Sequence, residues 1–225
     1  MEAYYDLCER WWRNWLAGGE AIAPPTGSVF VSDAAPEPYL LFDPGERPLV
    51  VLTTNPGGSM EHQHRSNVLS GRSVIAPAMK YSEAAKELAR YYSTKLGGVA
   101  GQRVKAQCEL ASVSRYTGVL QVECIPWHSK NLSNKRKLIQ TINADDALLE
   151  YTTALREFLI PFPVLGISAV SSQASITLAT LRQSEWLKWK CELIGLRPAE
   201  AQLVPVFTRE SLSHRRRLST GAAQL

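Results

Sequence analysis

One stretch limits the possible folds of this chain more than any other. Residues 49–54 form an apolar run that is rich in β-branched residues, and the run stops at Asn55-Pro56-Gly57-Gly58. Such a run, bounded by turn residues, is typical of a buried strand. Pro56 fixes its own backbone and biases Asn55 away from helix, while the two glycines allow close approach to the main chain. A polar residue at this position indicates a ligand site at the carboxyl end of a core strand.

Further strands and helices alternate along the chain. Apolar runs predict strands at 119–125, 164–170 and 203–207, and helical patterns predict helices at 3–17, 82–92, 145–159 and about 175–196. Residues 57–80 are expected to form a long polar loop. Alternation of this kind predicts a three-layer α/β/α domain with a central, mostly parallel four-stranded sheet. We expect one domain over residues 1–225, with residues 1–45 contributing a helix and extended pieces that pack on it.

Composition excludes several classes of protein. An apolar content of 45% and a charged content of 20% are those of a globular domain, and no apolar run is long enough to cross a membrane. The first residues lack the pattern of a signal peptide, and the four cysteines lack CxxC spacing. These features predict a cytoplasmic protein with reduced thiols, no bound metal and no cofactor.

Histidines and basic residues collect in the loops that follow the strands. All four histidines (His62, His64, His128 and His214) fall after strands one, two or four, outside the predicted helices and strands. Eight of the 25 lysines and arginines follow strands two and four: Lys130, Lys135, Arg136, Lys137, Arg209, Arg215, Arg216 and Arg217. Because parallel strands end at one edge of a sheet, these groups form a basic rim there. Such a rim favours a phosphate-rich partner, and we expect DNA, although a solvated basic surface is the alternative.

Three segments resemble the uracil-DNA glycosylase superfamily. The strand that ends in Asn55-Pro56-Gly57 is similar to its first motif, with Thr53 where glycine is usual. The strand that ends at Glu123 is similar to the base-reading strand, which has asparagine in uracil enzymes. Residues 208–213 resemble the loop that inserts into DNA: Leu212 and Ser213 match, whereas Thr208 replaces the expected histidine. The likeness covers about residues 45–218.

The resemblance implies roles for individual residues. Asn55 would hold the attacking water, although a turn asparagine bonded to its own backbone is the alternative. His214 or His128 would face the departing base, with His214 preferred by its position in the loop. Trp127 or Phe207 would stack on the flipped base, unless they belong to the core. Leu212, with Ser213, would enter the emptied stack, and the phosphates would be bound by Lys130, Arg209, Arg215, Arg216 and Arg217.

Glu123 indicates the kind of base. An ionised carboxylate accepts hydrogen bonds, so it suits the exocyclic amine of cytosine and repels the carbonyl of uracil. We therefore expect a monomeric, monofunctional enzyme that excises a modified cytosine, such as the hydroxymethylated or glucosylated base of phage DNA. The alternative for Glu123 is a structural buried acid. Three other functions stay open: a uracil or hypoxanthine repair glycosylase, a phosphoesterase using His62, His64 and His128, and an inactive nucleic-acid-binding module.

Overall fold

The computed structural model describes a little over half of the chain. The described residues are 2–19, 22–24, 28, 30–42, 48–56, 64–95, 107–108, 111, 116–129, 135–160, 163–166, 192, 194–195 and 202–203. For residues 135–138, 163–166 and 202–203 the backbone alone is described.

Five strands form one sheet. They are β1 (Tyr39–Phe42), β2 (Leu49–Thr53), β3 (Val119–Glu123), β4 (Pro163–Gly166) and β5 (Gln202–Leu203), in the spatial order β1-β3-β2-β4-β5. β1 runs antiparallel to β3, and the other three pairings are parallel. The expectation of an α/β fold is confirmed. The strand count of four is wrong for the described residues, because the extended piece at 39–42 joins the sheet as an edge strand.

The two central strands carry the core of the sheet. Every residue of β2 and β3 is buried. Strands that are covered on both faces read as continuous apolar runs, which is why the sequence identifies this pair. Their register places Thr53 opposite Glu123, so β2 and β3 end side by side. This register positions the site described below.

Five helices accompany the sheet in the described part of the chain. They are α1 (Glu2–Leu16), α2 (His64–Leu69), α3 (Tyr81–Lys95), α4 (Lys135–Ala144) and α5 (Asp146–Leu159). α1 buries one stripe, which consists of Tyr4, Leu7, Cys8, Trp11, Trp12 and Trp15. The Tyr4 ring stacks on Phe158 of α5 at 4.7 Å between ring centroids. The paired tryptophans of α1 are therefore core residues, as the helical spacing indicates.

Two helices differ from expectation. α2 lies within the segment predicted to be a loop, so His64 begins a helix instead of lying in a turn. Only Val68 of α2 is buried, and a single buried residue leaves no periodic pattern to read. α4 was not predicted either, and it places Lys135, Arg136 and Lys137 in a first helical turn. The predicted helix at 175–196 lies almost entirely outside the described residues.

Helix starts follow local hydrogen bonding. Asp145, the first residue of the predicted helix, instead caps α5 by accepting a hydrogen bond from the Leu148 amide at 2.8 Å. α3 begins one residue before the predicted Ser82, and Glu83 reaches back to accept from the Lys80 amide at 3.3 Å.

Within the described part, no helix is long and apolar enough to cross a bilayer, and Cys8, Cys108 and Cys124 are thiols outside any disulfide.

Candidate functional site

Asn55 lies two residues beyond the end of β2 and contacts the segment that follows β3. Its side-chain Nδ2 lies 3.0 Å from the Trp127 carbonyl oxygen and 2.9 Å from the Ser129 hydroxyl. The Cys124 and Ile125 amides donate to the Thr53 and Thr54 carbonyls, which continues the parallel pairing past both strands. The structure therefore brings together the first two of the three loops that the sequence places at this edge.

The orientation of the Asn55 amide follows from its acceptors. Nδ2 also lies 2.7 Å from the carbonyl oxygen of Pro56. A carbonyl oxygen can only accept, so the side-chain nitrogen must face Pro56 and Trp127. The side-chain oxygen Oδ1 then faces the other way, as an acceptor held in a fixed place. The turn interpretation of Asn55 is thus true in part, since one of its bonds goes to its neighbour Pro56.

Glu123 ends β3 and is 2% exposed. Its Oε1 accepts a hydrogen bond from Gln121 Nε2 at 2.7 Å. Its backbone is fixed as well, because its amide donates to the Pro38 carbonyl and its carbonyl accepts from the Tyr151 hydroxyl. A base could contact this carboxylate only after neighbouring side chains move.

A second buried acid, Glu37, stands beside His128, and sequence reasoning missed it. His128 Nε2 lies 3.3 Å from Glu37 Oε1, and the Tyr92 hydroxyl donates to the same oxygen at 2.9 Å. The Glu37 amide donates to the Pro126 carbonyl, so this residue also holds the segment after β3. The sequence carries no signal for it, since Pro36-Glu37-Pro38 resembles an exposed turn.

The electrostatics of Glu37 favour its charged form. Burial alone would raise the pKa of this carboxyl, but the adjacent His128 and the Tyr92 hydroxyl hold its pKa below the ordinary value. The same carboxylate contributes, after burial, to the raised pKa of the Tyr92 hydroxyl. His128 Nε2 thus faces the buried Glu37 carboxylate, and Nδ1 is the other polar atom of the ring.

His64 lies near His128, with 6.3 Å between the ring centroids. Its Nδ1 accepts a hydrogen bond from the Ala35 amide at 2.9 Å, so the ring proton is on Nε2. Among the described residues, no three His, Cys, Asp or Glu side chains are grouped so as to hold a metal ion. His62, the third histidine of the phosphoesterase alternative, lies outside them.

Trp127 belongs to the core. It is 3% exposed, its ring lies 5.3 Å from that of Phe30 and 5.8 Å from that of Trp11, and its Nε1 donates to the Ile22 carbonyl at 3.0 Å. These contacts match the core alternative that the sequence left open. They give no support to stacking on a base.

The remaining predicted site residues lie outside the described residues. They are Lys130, Phe207, Arg209, Leu212, Ser213, His214, Arg215, Arg216 and Arg217, together with the glycines at 57 and 58. Their proposed contacts with base and DNA stay predictions.

Comparison with known proteins adds no relative: no family model, curated protein or solved structure matches this chain. The resemblance to the glycosylase superfamily therefore depends on the short motifs and on their order along the chain.

Proposed function

We propose that this chain is a monofunctional DNA N-glycosylase with a three-layer domain of the uracil-DNA glycosylase type, which excises a modified cytosine. One observation carries the proposal. The Asn55 amide is held at the carboxyl end of β2 by the Pro56 and Trp127 carbonyls and by Ser129, with Oδ1 turned away from them. That is the arrangement needed to hold one water molecule in a fixed position.

The chemistry suits an amide better than a strong base. Cleavage of the N-glycosidic bond proceeds through an oxocarbenium-like sugar, and the bonding electron pair leaves with the base. Water held by Asn55 Oδ1 adds to the sugar carbon, and its proton passes to solvent. The negative charge on the departing base needs a facing donor, for which His214 is preferred over the buried His128. The product is an abasic site, and no cofactor is required.

Glu123 supports the choice of cytosine. It ends the strand next to Asn55, and an acceptor at that place suits an exocyclic amine. Removal of ordinary cytosine would damage the host's own DNA, so an added substituent must mark the target. Hydroxymethyl or glucosyl groups on phage cytosine meet this need, which would give the protein a role in defence against phage.

The direct test is excision on defined DNA. Purified protein is incubated with duplexes and single strands that contain uracil, hypoxanthine, cytosine, hydroxymethylcytosine or its glucosylated form, and the strands are then treated with alkali and sized. We expect alkali-labile breaks at a modified cytosine, unchanged by a chelator. Absence of breaks on every substrate would overturn the glycosylase proposal. Breaks that require added metal and precede alkali treatment would favour the phosphoesterase.

A matched pair of asparagine variants tests the water-holding residue. We expect Asn55→Ala to lower base release by about 10²-fold or more, because a misplaced nucleophile loses the advantage of orientation. Binding to DNA, measured by fluorescence anisotropy, should be unchanged. Asn143→Ala is the control, since Asn143 is exposed on α4. Full activity of Asn55→Ala would refute the assignment, and wild-type binding without any release would favour the inactive binding module.

A further inference from the structure

Three buried polar side chains form a line that ends at Glu123. Gln107 Nε2 donates to Gln121 Oε1 at 3.3 Å, and Gln121 Nε2 donates to Glu123 Oε1 at 2.7 Å. Their exposed fractions are 0%, 8% and 2% in that order, so bulk water cannot substitute for any of these bonds. We call this line the glutamine relay.

The relay has a direction. Each primary amide uses its N–H to donate to the next member, and the last acceptor is the carboxylate. The reverse order would require Glu123 to be protonated and to donate to Gln121, which would in turn donate to Gln107. These two arrangements are the self-consistent ones, because Gln121 then uses one donor and one acceptor in the line. The orientation of the Gln121 amide is therefore coupled to the state of Glu123. An N–H that faces Glu123 favours the ionised acceptor, and a carbonyl oxygen that faces it favours the protonated donor.

The protonation state of Glu123 matters because it determines which group of a base the side chain can bind. An acceptor binds an amine N–H, as on a cytosine-type base, whereas a protonated carboxyl can donate to a carbonyl, as on a uracil-type base. We propose that Gln121, oriented by Gln107, is a positioning residue that keeps Glu123 an acceptor and so restricts the site to bases that carry an amine. This inference rests on the proposed function and names what sets its base preference.

The surroundings of Glu123 keep the relay in place. The Glu123 amide is bonded to the Pro38 carbonyl, and its carbonyl accepts from Tyr151, so the residue cannot rotate away as a whole. Among the described residues, Tyr92 of α3 and Tyr151 of α5 interact electrostatically with it, and for both tyrosines burial is the main cause of a raised pKa. Both therefore stay uncharged at neutral pH, and Gln121 is a neutral donor in direct contact with the carboxylate, so its substitution changes that contact without adding or removing a charge.

The first test reads the protonation of Glu123 without any substrate. Protein labelled with ¹³C at the glutamate side-chain carboxyl is studied by NMR at neutral pH, and the Glu123 signal is assigned with Glu123→Gln. We expect the shift of an ionised carboxylate in the wild type. In Gln121→Leu we expect a move toward the protonated form, since the stabilising donor is gone. Gln140→Leu is the control, because Gln140 is exposed on α4.

The second test reads base preference. Gln121→Glu places two carboxyl groups side by side, and such a pair shares one proton. We expect the ratio of release from cytosine-type over uracil-type DNA to fall by about tenfold or more, which corresponds to loss of one hydrogen bond to a charged group. Gln140→Glu should leave the ratio unchanged. Gln107→Leu removes the orienting donor without touching Glu123 and should give a smaller fall, which keeps the test available if Gln121→Glu does not fold.

The two tests separate failure of this inference from failure of the proposed function. A protonated Glu123 in the wild type, or an unmoved signal in Gln121→Leu, would overturn the relay whatever the enzyme does. A moved signal in a protein that releases no base would retain the relay and reject the glycosylase. An active enzyme whose base ratio is the same in Gln121→Glu as in the wild type would overturn the role of the relay in selection.

Discussion

Two polar corners hold residues 126–129, and they are built differently. The Asn55 corner uses a neutral amide that is partly exposed and bonded to two carbonyls and a hydroxyl. The Glu37 corner uses a carboxylate and an imidazole that are 3% and 4% exposed. The first corner is neutral and leaves Asn55 Oδ1 as an acceptor. The second buries a charged carboxylate.

The difference in charge and burial indicates different roles for the two corners. A half-buried neutral amide can be removed at a small cost in stability, because water replaces its bonds. A buried charged group cannot be removed so cheaply, since its partner is then left in a low-dielectric surrounding without compensation. Under the proposed function, we infer that the Asn55 corner serves the reaction and that the Glu37 corner keeps residues 126–129 in place for it.

The largest expected effect is on stability at the charged corner. Glu37→Ala should lower the free energy of unfolding by about 3–5 kcal/mol, because it leaves His128 buried beside a cavity. Chemical denaturation measures the change. Glu150→Ala is the control, since its ion pair with Arg10 is more than half exposed and should contribute about 0–1 kcal/mol. A loss below about 1 kcal/mol for Glu37→Ala would remove the distinction between the two corners.

The next effect is a dependence on pH. A carboxyl whose pKa is lowered by folding stabilises the protein above its unfolded pKa, and that stability is lost as the pH falls through the folded value. The difference in unfolding free energy between wild type and Glu37→Gln should therefore be largest near neutral pH and shrink below about pH 4. Denaturation at several pH values measures it. A difference that grows toward acid would mean that Glu37 is protonated in the folded protein.

The features that could be predicted from the sequence are those that regular secondary structure determines. Asn55 and the residues after β3 could be placed together because neighbouring parallel strands end at one edge, whatever their detailed packing. Glu37 could not, because it precedes an antiparallel edge strand whose pairing leaves no mark on the sequence. Trp127 shows a third case, since an aromatic residue after a strand suits either a pocket or the core, and its packing against Trp11 and Phe30 decides.

A smaller effect is expected where α5 contacts the backbone at Pro38 and at the end of β3. Tyr151 of α5 donates to the Glu123 carbonyl at 2.7 Å and lies 3.3 Å from the Pro38 carbonyl. Tyr151→Phe should destabilise the protein by about 1–2 kcal/mol, because buried carbonyls lose their donor. Tyr91→Phe, which alters a partly exposed ring on α3, is the control. Equal effects of the two variants would show that the Tyr151 hydroxyl is not what ties α5 to β3.

The smallest effect is expected at Ser129, and its size tests how the Asn55 amide is held. Nδ2 carries two hydrogens but has three acceptors, so removal of the Ser129 hydroxyl leaves one carbonyl for each hydrogen. Ser129→Ala should therefore change the unfolding free energy by about 0.5–1.5 kcal/mol and lower base release by less than about tenfold, far less than Asn55→Ala. Ser70→Ala, at an exposed position, is the control for both measurements. A loss of release as large as that of Asn55→Ala would instead place the Ser129 hydroxyl in contact with the water or the sugar, because holding an already satisfied amide cannot account for it.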